Sequence, residues 1–286
     1  MYYNYFKFHT TPLYSLLFCL ATNCSSNTRP LSLTESIAIG GTVGIAEVMF
    51  PGQLLTYAMN TAIEKKSFVL KESYRGFSAN ALGQMPITAL QKMVQVKGVA
   101  WLQSKQETRL TDWQKAGVSF AAGISGALID TPSNAVQLYL QNAHHAGKPM
   151  TRAFRELGSR SLRGFLPNAL LKEGPFAVGY QILAPKAKDV LLPYLDDNLA
   201  ATVLGGAMAG VTTAIVTQPG AVMRNKLQND LDGSSYKSSW QTAKKIYAEE
   251  GVTGFFRGLP QRGTRVAIAV PLYVAYTNLL EDVVKE

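Results

Sequence analysis

The sequence is short of charge, cysteine and histidine, and each shortage excludes a class of protein. Only 16% of the 286 residues are charged, against about 25% in an average soluble domain, which argues against an ordinary cytosolic enzyme. The two cysteines, Cys19 and Cys24, both lie in the N-terminal tail and are too few for a disulfide framework or a zinc set. They read as reduced free thiols. His144-His145 stands in loop-like sequence before Ala146-Gly147-Lys148, with no carboxylate or cysteine beside it to complete a ligand set, so no metal site is expected. The chain has no Gly-x-x-x-x-Gly-Lys phosphate loop, no serine or cysteine triad and no carboxylate pair arranged for hydrolysis. It is therefore read as no enzyme, with no cofactor.

What is present is basic and apolar. The net charge is +9, but the lysines and arginines are dispersed, unlike the clustered patches of nucleic-acid binders, so no nucleic acid is expected. An acidic membrane surface or an anionic solute fits better. Mean hydropathy is only +0.03, as expected of helices that keep a polar face along an aqueous path. The tail Met1 to Asn27 has no acidic residue and one short apolar stretch, Leu13 to Ala21, and reads as an unspecialised extension.

Six apolar stretches can be drawn: Ser36 to Ala58, Ser78 to Leu102, Ala116 to Leu140, Pro167 to Leu183, Leu199 to Met223 and Thr264 to Leu280. A membrane-crossing helix needs about 20 residues. Only the fifth is free of charge, between Asp197 and Arg224; others enclose Glu47, Lys92, Asp130 or Lys172. Taken singly, each of those could equally be a buried core helix.

A threefold repetition favours the membrane reading. Met49-Phe50-Pro51-Gly52-Gln53, Asp130-Thr131-Pro132-Ser133-Asn134 and Thr217-Gln218-Pro219-Gly220-Ala221 each place a proline late in an odd-numbered stretch, after closely spaced small residues. Small residues let helices approach in lipid, and Pro51, Pro132 and Pro219 are candidate hinges because a proline removes a helix hydrogen bond. A second marker opens each even stretch: Tyr74-Arg75-Gly76-Phe77, Leu162-Arg163-Gly164-Phe165 and Phe256-Arg257-Gly258-Leu259. The unit is a kinked helix, a loop with a short helix, an Arg-Gly turn and a second helix. The fold class is thus an all-α membrane protein of six transmembrane helices in three helix-pair repeats. The boundaries are a tail over 1–33 and repeats over 34–104, 105–192 and 193–286. Loops inside the units hold 15 basic residues and the tails and inter-unit loops 8, which puts the intra-unit loops on one side and both termini on the other.

From about Thr34 to the C-terminus the chain resembles the mitochondrial carrier family. The family repeat reads Pro-x-acid-x-x-base, a glutamine, acid-Gly, then aromatic-base-Gly. The third unit keeps Pro219, Arg224, Lys226, Gln228, Glu250-Gly251 and Phe256-Arg257-Gly258; the second keeps Pro132, Gln141 and Arg163-Gly164; the first keeps Pro51 and Tyr74-Arg75-Gly76. The departures fall on the gates. The acidic positions are Gln53, Asn134 and Ala221, and the basic ones Thr56, Gln137 and Arg224, so Arg224 has no acid within its set. Gln53, Thr56, Asn134 and Gln137 can still join by neutral hydrogen bonds, weaker than charge-assisted ones. The outer-gate places Tyr180-Gln181 and Tyr276-Thr277 lack the acid as well.

The resemblance also places a substrate site about two turns past each Arg-Gly marker. Seven residues on lie Gly83, Leu171 and Arg265, adjoined by Gln84, Lys172 and Val266. Arg265 and Lys172 are ionisable groups inside expected membrane helices, where charge is costly and usually functional; Lys172 can instead pair with Glu173 or snorkel. Asn80, Gln84 and Gln91 are polar candidates; Arg262, one turn before Arg265, can add to the field there but is placed nearer the interface than the site; and Glu47 and Asp130 are candidate partners for cavity cations. The resulting expectation is a monomeric, multi-pass carrier of the mitochondrial inner membrane, surrounded by lipid. It exchanges small anionic solutes, such as the nucleotides ATP and ADP, by alternating access. The alternative is a non-transporting carrier-fold protein acting as receptor, insertase or membrane-shaping factor, including a bacterial protein targeted to host mitochondria.

This topology is testable by single-cysteine labelling of intact membranes. Cysteines at Ser73, Ser159 and Ser235 are expected to react from one side, and those at Ser104 and Asn198 from the other. Labelling of Ser104 and Ser159 from the same face breaks the helix pairing.

Overall fold

The computed structural model describes residues 34, 38, 42, 45, 46, 48–105, 109–195, 197–230 and 232–269. Glu47, the tail cysteines, Tyr276-Thr277 and most of the last apolar stretch lie outside the described residues. Among those described the chain is helical, with no strand.

A π turn, Val48–Gly52, leads into α1 (Gln53–Ile63). Then come α2 (Phe77–Gln103), α3 (Asp112–Gln141) and the short α4 (Met150–Leu157). A continuous helical run over 167–195 follows: a π turn (Pro167–Glu173), α5 (Gly174–Val178), a second π turn (Gly179–Leu183) and α6 (Ala184–Leu195). The chain continues through α7 (Asn198–Asn229), α8 (Ser239–Glu250) and a helical stretch over 259–269. Among the described residues α7 is the one helix long and apolar enough to cross a membrane, in keeping with its charge-free sequence. The fourth apolar stretch understates its helix, which runs on to Leu195 because Lys186, Lys188 and Asp189 ride on its exposed continuation.

The helices begin where the sequence offers caps. Thr111 accepts from Gln114 N while the Gln114 side chain accepts from Thr111 N, closing a capping box on α3. Asp197 accepts from Leu199 N at the start of α7, and Ser238 from Gln241 N at the start of α8. Pro132 and Pro219 lie inside continuous helices, while Pro51 falls in a π turn.

Packing repeats around the bundle. Ala79 of α2, Val136 and Leu140 of α3 and Leu157 of α4 form one buried cluster; Met59 and Ile63 of α1, Val222 of α7 and Ile246 of α8 form another. The short helices α4 and α8 thus cover the ends of the long ones. α4 is also tied down electrostatically: Glu156 accepts from Lys148, Arg152 and Tyr139, and the Lys148 ammonium above all holds its carboxyl down to about 2. Small residues permit close crossings: a Cβ on Gly123 would lie 2.2 Å from the Glu173 carbonyl oxygen.

The Arg-Gly turns close a ring. Gly76 has φ +75° and faces Gln137 of α3; Gly164 has φ +78° and faces Arg224 of α7; Gly258 has φ +76° and faces Met59 of α1. Each turn therefore abuts the helix of the next unit, and the third returns to the first. A Cβ on Gly76 would stand 2.8 Å from the Gln137 carbonyl oxygen. Gly76→Ala is expected to lose about 1–2 kcal/mol from the left-handed backbone alone, and more from that clash. Gly147→Ala, with φ +81° but open space around it, should lose only the backbone cost. Unfolding midpoints of the two purified variants check the ordering.

Candidate functional site

The helices surround a cavity of about 170 Å³. Asn80, Gln84 and Gln91 of α2 line one wall, Asp130 and Asn134 of α3 a second, and Lys172 and Glu173 a third, with Arg224 of α7 and Arg262 and Arg265 beyond. Among the described residues four cations thus face two carboxylates.

The charges are organised around Asp130. Its Oδ2 accepts from Arg224 Nη1 at 2.9 Å, Lys172 Nζ at 3.0 Å and Asn168 Nδ2 at 2.8 Å. Lys172 also donates to Glu173, which accepts in turn from Gln91 Nε2 at 3.3 Å. Tyr180 donates to Gln91 Oε1 and receives a bond from Gln181. One hydrogen-bonded path therefore crosses the cavity from the outer-gate place Tyr180-Gln181 to Arg224. Burying such groups is tolerable only because each charge meets an opposite one and further dipoles. The sequence leaves Arg224 without an acid in its motif set; the structure supplies Asp130 from α3, four residues before the motif position Asn134.

Register along 167–173 decides which side chains enter the cavity. In an α-helix seven residues return to nearly the same face, which selects Leu171. The π turn Pro167–Glu173 takes up an extra residue. Leu171 faces outward, 44% exposed and beside Gly220 of α7, while Lys172 and Glu173 line the cavity. In α2, Gly83 packs against Ser133 and its neighbour Gln84 faces the cavity. Arg265 and Asn80 also line it.

Arg262 lines the cavity. It is buried at the cavity wall, donating to Thr217 Oγ1 at 2.6 Å and Gln218 Oε1 at 3.3 Å. It and Asn168 are the residues that sequence reasoning misplaced or missed, and a signal existed. Asn80, Asn168 and Arg262 each follow a turn glycine by four residues, and each bonds the odd helix of its own unit near the proline: Asn80 to Gln53, Asn168 to Thr131, Arg262 to Thr217.

Below the cavity the helix ends converge on amides. Gln53 Nε2 donates to the carbonyls of Ser73 and Arg75, and its Oε1 accepts from Asn80 and from Gln137 at 3.1 Å. Asn60 donates to Gln141 and accepts from Asn225; Asn134 donates to Gln228. Of the candidate gate residues, Gln53 and Gln137 meet directly, Asn134 reaches α7 through Gln228, Thr56 bonds only the Gly52 carbonyl of its own helix, and Arg224 turns to Asp130 and Asn168.

Comparison with known proteins follows the same lines. The family model described as "Mitochondrial carrier protein" matches residues 196–286. The chain is 26% identical over 198 residues to "Mitochondrial magnesium exporter 1" of Drosophila melanogaster, covering 65% of this chain and 66% of that one. It is 31% identical over 134 residues to "Mitochondrial glycine transporter" of Xenopus tropicalis, covering 45% and 43%. It is 32% identical over 162 residues to "Tricarboxylate transporter ALT9" of Alternaria alternata, covering 55% and 69%. The matches to the first two span less than two thirds of those relatives' own lengths.

Removing the shared carboxylate tests the network. Asp130→Asn leaves the Arg224 and Lys172 charges short of a partner and is expected to cost about 3–5 kcal/mol. Adding Arg224→Gln should restore part of the loss. Thermal unfolding of both variants measures it; additive losses would show that the two residues are uncoupled.

Proposed function

Because the chain belongs to the mitochondrial carrier family, we propose that it moves a small carboxylate-bearing metabolite across the mitochondrial inner membrane by alternating access. The supporting observation is the excess of cations among the described cavity residues, where Lys172, Arg224, Arg262 and Arg265 stand against Asp130 and Glu173. Two guanidiniums three residues apart on one helix offer paired donors to a planar anion. Arg265, on the cavity wall, is the main anion contact, and Lys172, held by Asp130 and Glu173, positions the acids. Asn80 and Gln84 supply neutral contacts on the facing wall.

Two features favour a small carboxylate over a nucleotide. The cavity, at about 170 Å³, is below the roughly 300–1,000 Å³ of pockets that enclose drug-sized ligands. Relatives named for glycine and for tricarboxylates also share a carboxylate as the common chemical group. The stretches 34–104, 105–192 and 193–286 act as the three repeats, and the amide layer of Gln53, Gln137, Asn134 and Gln228 acts as the latch that opens for release. Thr56 and Arg224 flank that latch, and Pro51, Pro132 and Pro219 are its hinges.

The test is reconstitution into liposomes with labelled glycine, citrate, phosphate and ADP. Carboxylate uptake is expected, and Arg265→Ala should lower it by at least about tenfold, the value of one charge-assisted contact, with an unchanged melting curve. Arg265→Lys should keep a fraction, retaining charge without the fork. Exchange of ADP with no carboxylate uptake overturns the solute assignment. Silence toward every solute by folded protein selects the non-transporting receptor, insertase or membrane-shaping reading.

A further inference from the structure

A second groove, of about 580 Å³, opens on the outer surface where α3, the 174–195 helical run and α7 diverge. Its two ends differ. At one end Lys186 of α6 donates to Asp112, the first residue of α3, and Trp113 stands beside them, 88% exposed. Toward the other end the walls are apolar: Phe120 from α3, Val178 and Ile182 from the neighbouring run, Val216 from α7. Phe120 lies eight residues along α3 from Asp112, about 12 Å deeper at 1.5 Å per residue. The floor is sealed where Gly179 lets α7 approach, since a Cβ there would strike Thr213 Oγ1 at 2.1 Å.

A tryptophan and a lysine at a helix end are the composition found at the headgroup level of a bilayer, and the apolar trough runs from there along the helices. The polar end carries both signs as one ion pair rather than a cluster of cations. An anionic headgroup would set its phosphate against Asp112. A headgroup with its own phosphate and ammonium matches both residues, and an alkylated ammonium also gains the face of an exposed indole. We propose that this groove holds an acyl chain of a zwitterionic glycerophospholipid of the choline or ethanolamine class, with its phosphate on Lys186 and its ammonium between Asp112 and Trp113. The proposal rests on the membrane-spanning reading and is independent of the solute.

Native mass spectrometry of the full chain, released from detergent with added phosphatidylcholine or phosphatidylglycerol, tests it. The unaltered protein should retain phosphatidylcholine in preference to phosphatidylglycerol. Ala116→Trp, which fills the groove, should abolish that retention. Lys186→Gln, an exposed change that leaves the fold intact, should weaken it about tenfold, as for one charge-assisted contact. Equal retention of both lipids, or retention unaffected by either substitution, overturns the proposal. So does the absence of bound lipid on protein that stays in the membrane pellet after alkaline washing, an outcome that leaves the carrier reading standing. Protein recovered in the wash overturns both.

Discussion

The constraint on which the cavity depends is the sharing of one carboxylate, Asp130, among Arg224, Lys172 and Asn168. It joins two units of the chain: in the second, α3 supplies the acid and the π turn at 167–173 a lysine, and in the third α7 supplies an arginine. Such a cluster in low dielectric contributes little net stability compared with apolar packing of the same volume, yet losing one member is expensive. It therefore acts as a register device, fixing how far each helix slides past the next. Arg262 and Arg265 line the same open space.

The convergent helix ends below the cavity follow the opposite principle. In place of charged pairs there are amides, each of which both donates and accepts. Gln53 alone uses its donors on two turn carbonyls and its acceptor on Asn80 and Gln137. A carboxylate at this position would face the Ser73 and Arg75 carbonyl oxygens with no hydrogen to offer, so the glutamine is fitted to its surroundings. The departure from the family's charged motif and the local backbone geometry are consistent with each other.

Much of this was legible in the sequence for a physical reason: repetition multiplies weak local signals. The Arg-Gly turns, the prolines and the charge-free stretch of α7 follow from residue type alone. What was not legible depended on three-dimensional register. Counting seven residues from Gly76 and Gly164 selects Gly83 and Leu171, whereas the adjoining Gln84 and Lys172 line the cavity. Arg262 reads as interfacial from its nearness to Gly258, because its partners Thr217 and Gln218 are more than forty positions away. Arg224 reads as unpaired because its acid belongs to another helix. The residues that sequence reasoning named for the site, Asn80, Gln84, Gln91, Lys172 and Arg265, all line the cavity.

The amide layer has an electrical consequence. A gate of ion pairs redistributes formal charge when it parts, and across an energised membrane each elementary charge moved through the full field is worth roughly 2.3 kcal/mol per 100 mV. Separating Gln53 from Gln137, or Asn134 from Gln228, moves none. On the proposed transport reading, with this layer as the latch, the potential acts on the cavity cations and on whatever charge the solute brings, so the voltage dependence of the cycle would report the cargo rather than the door.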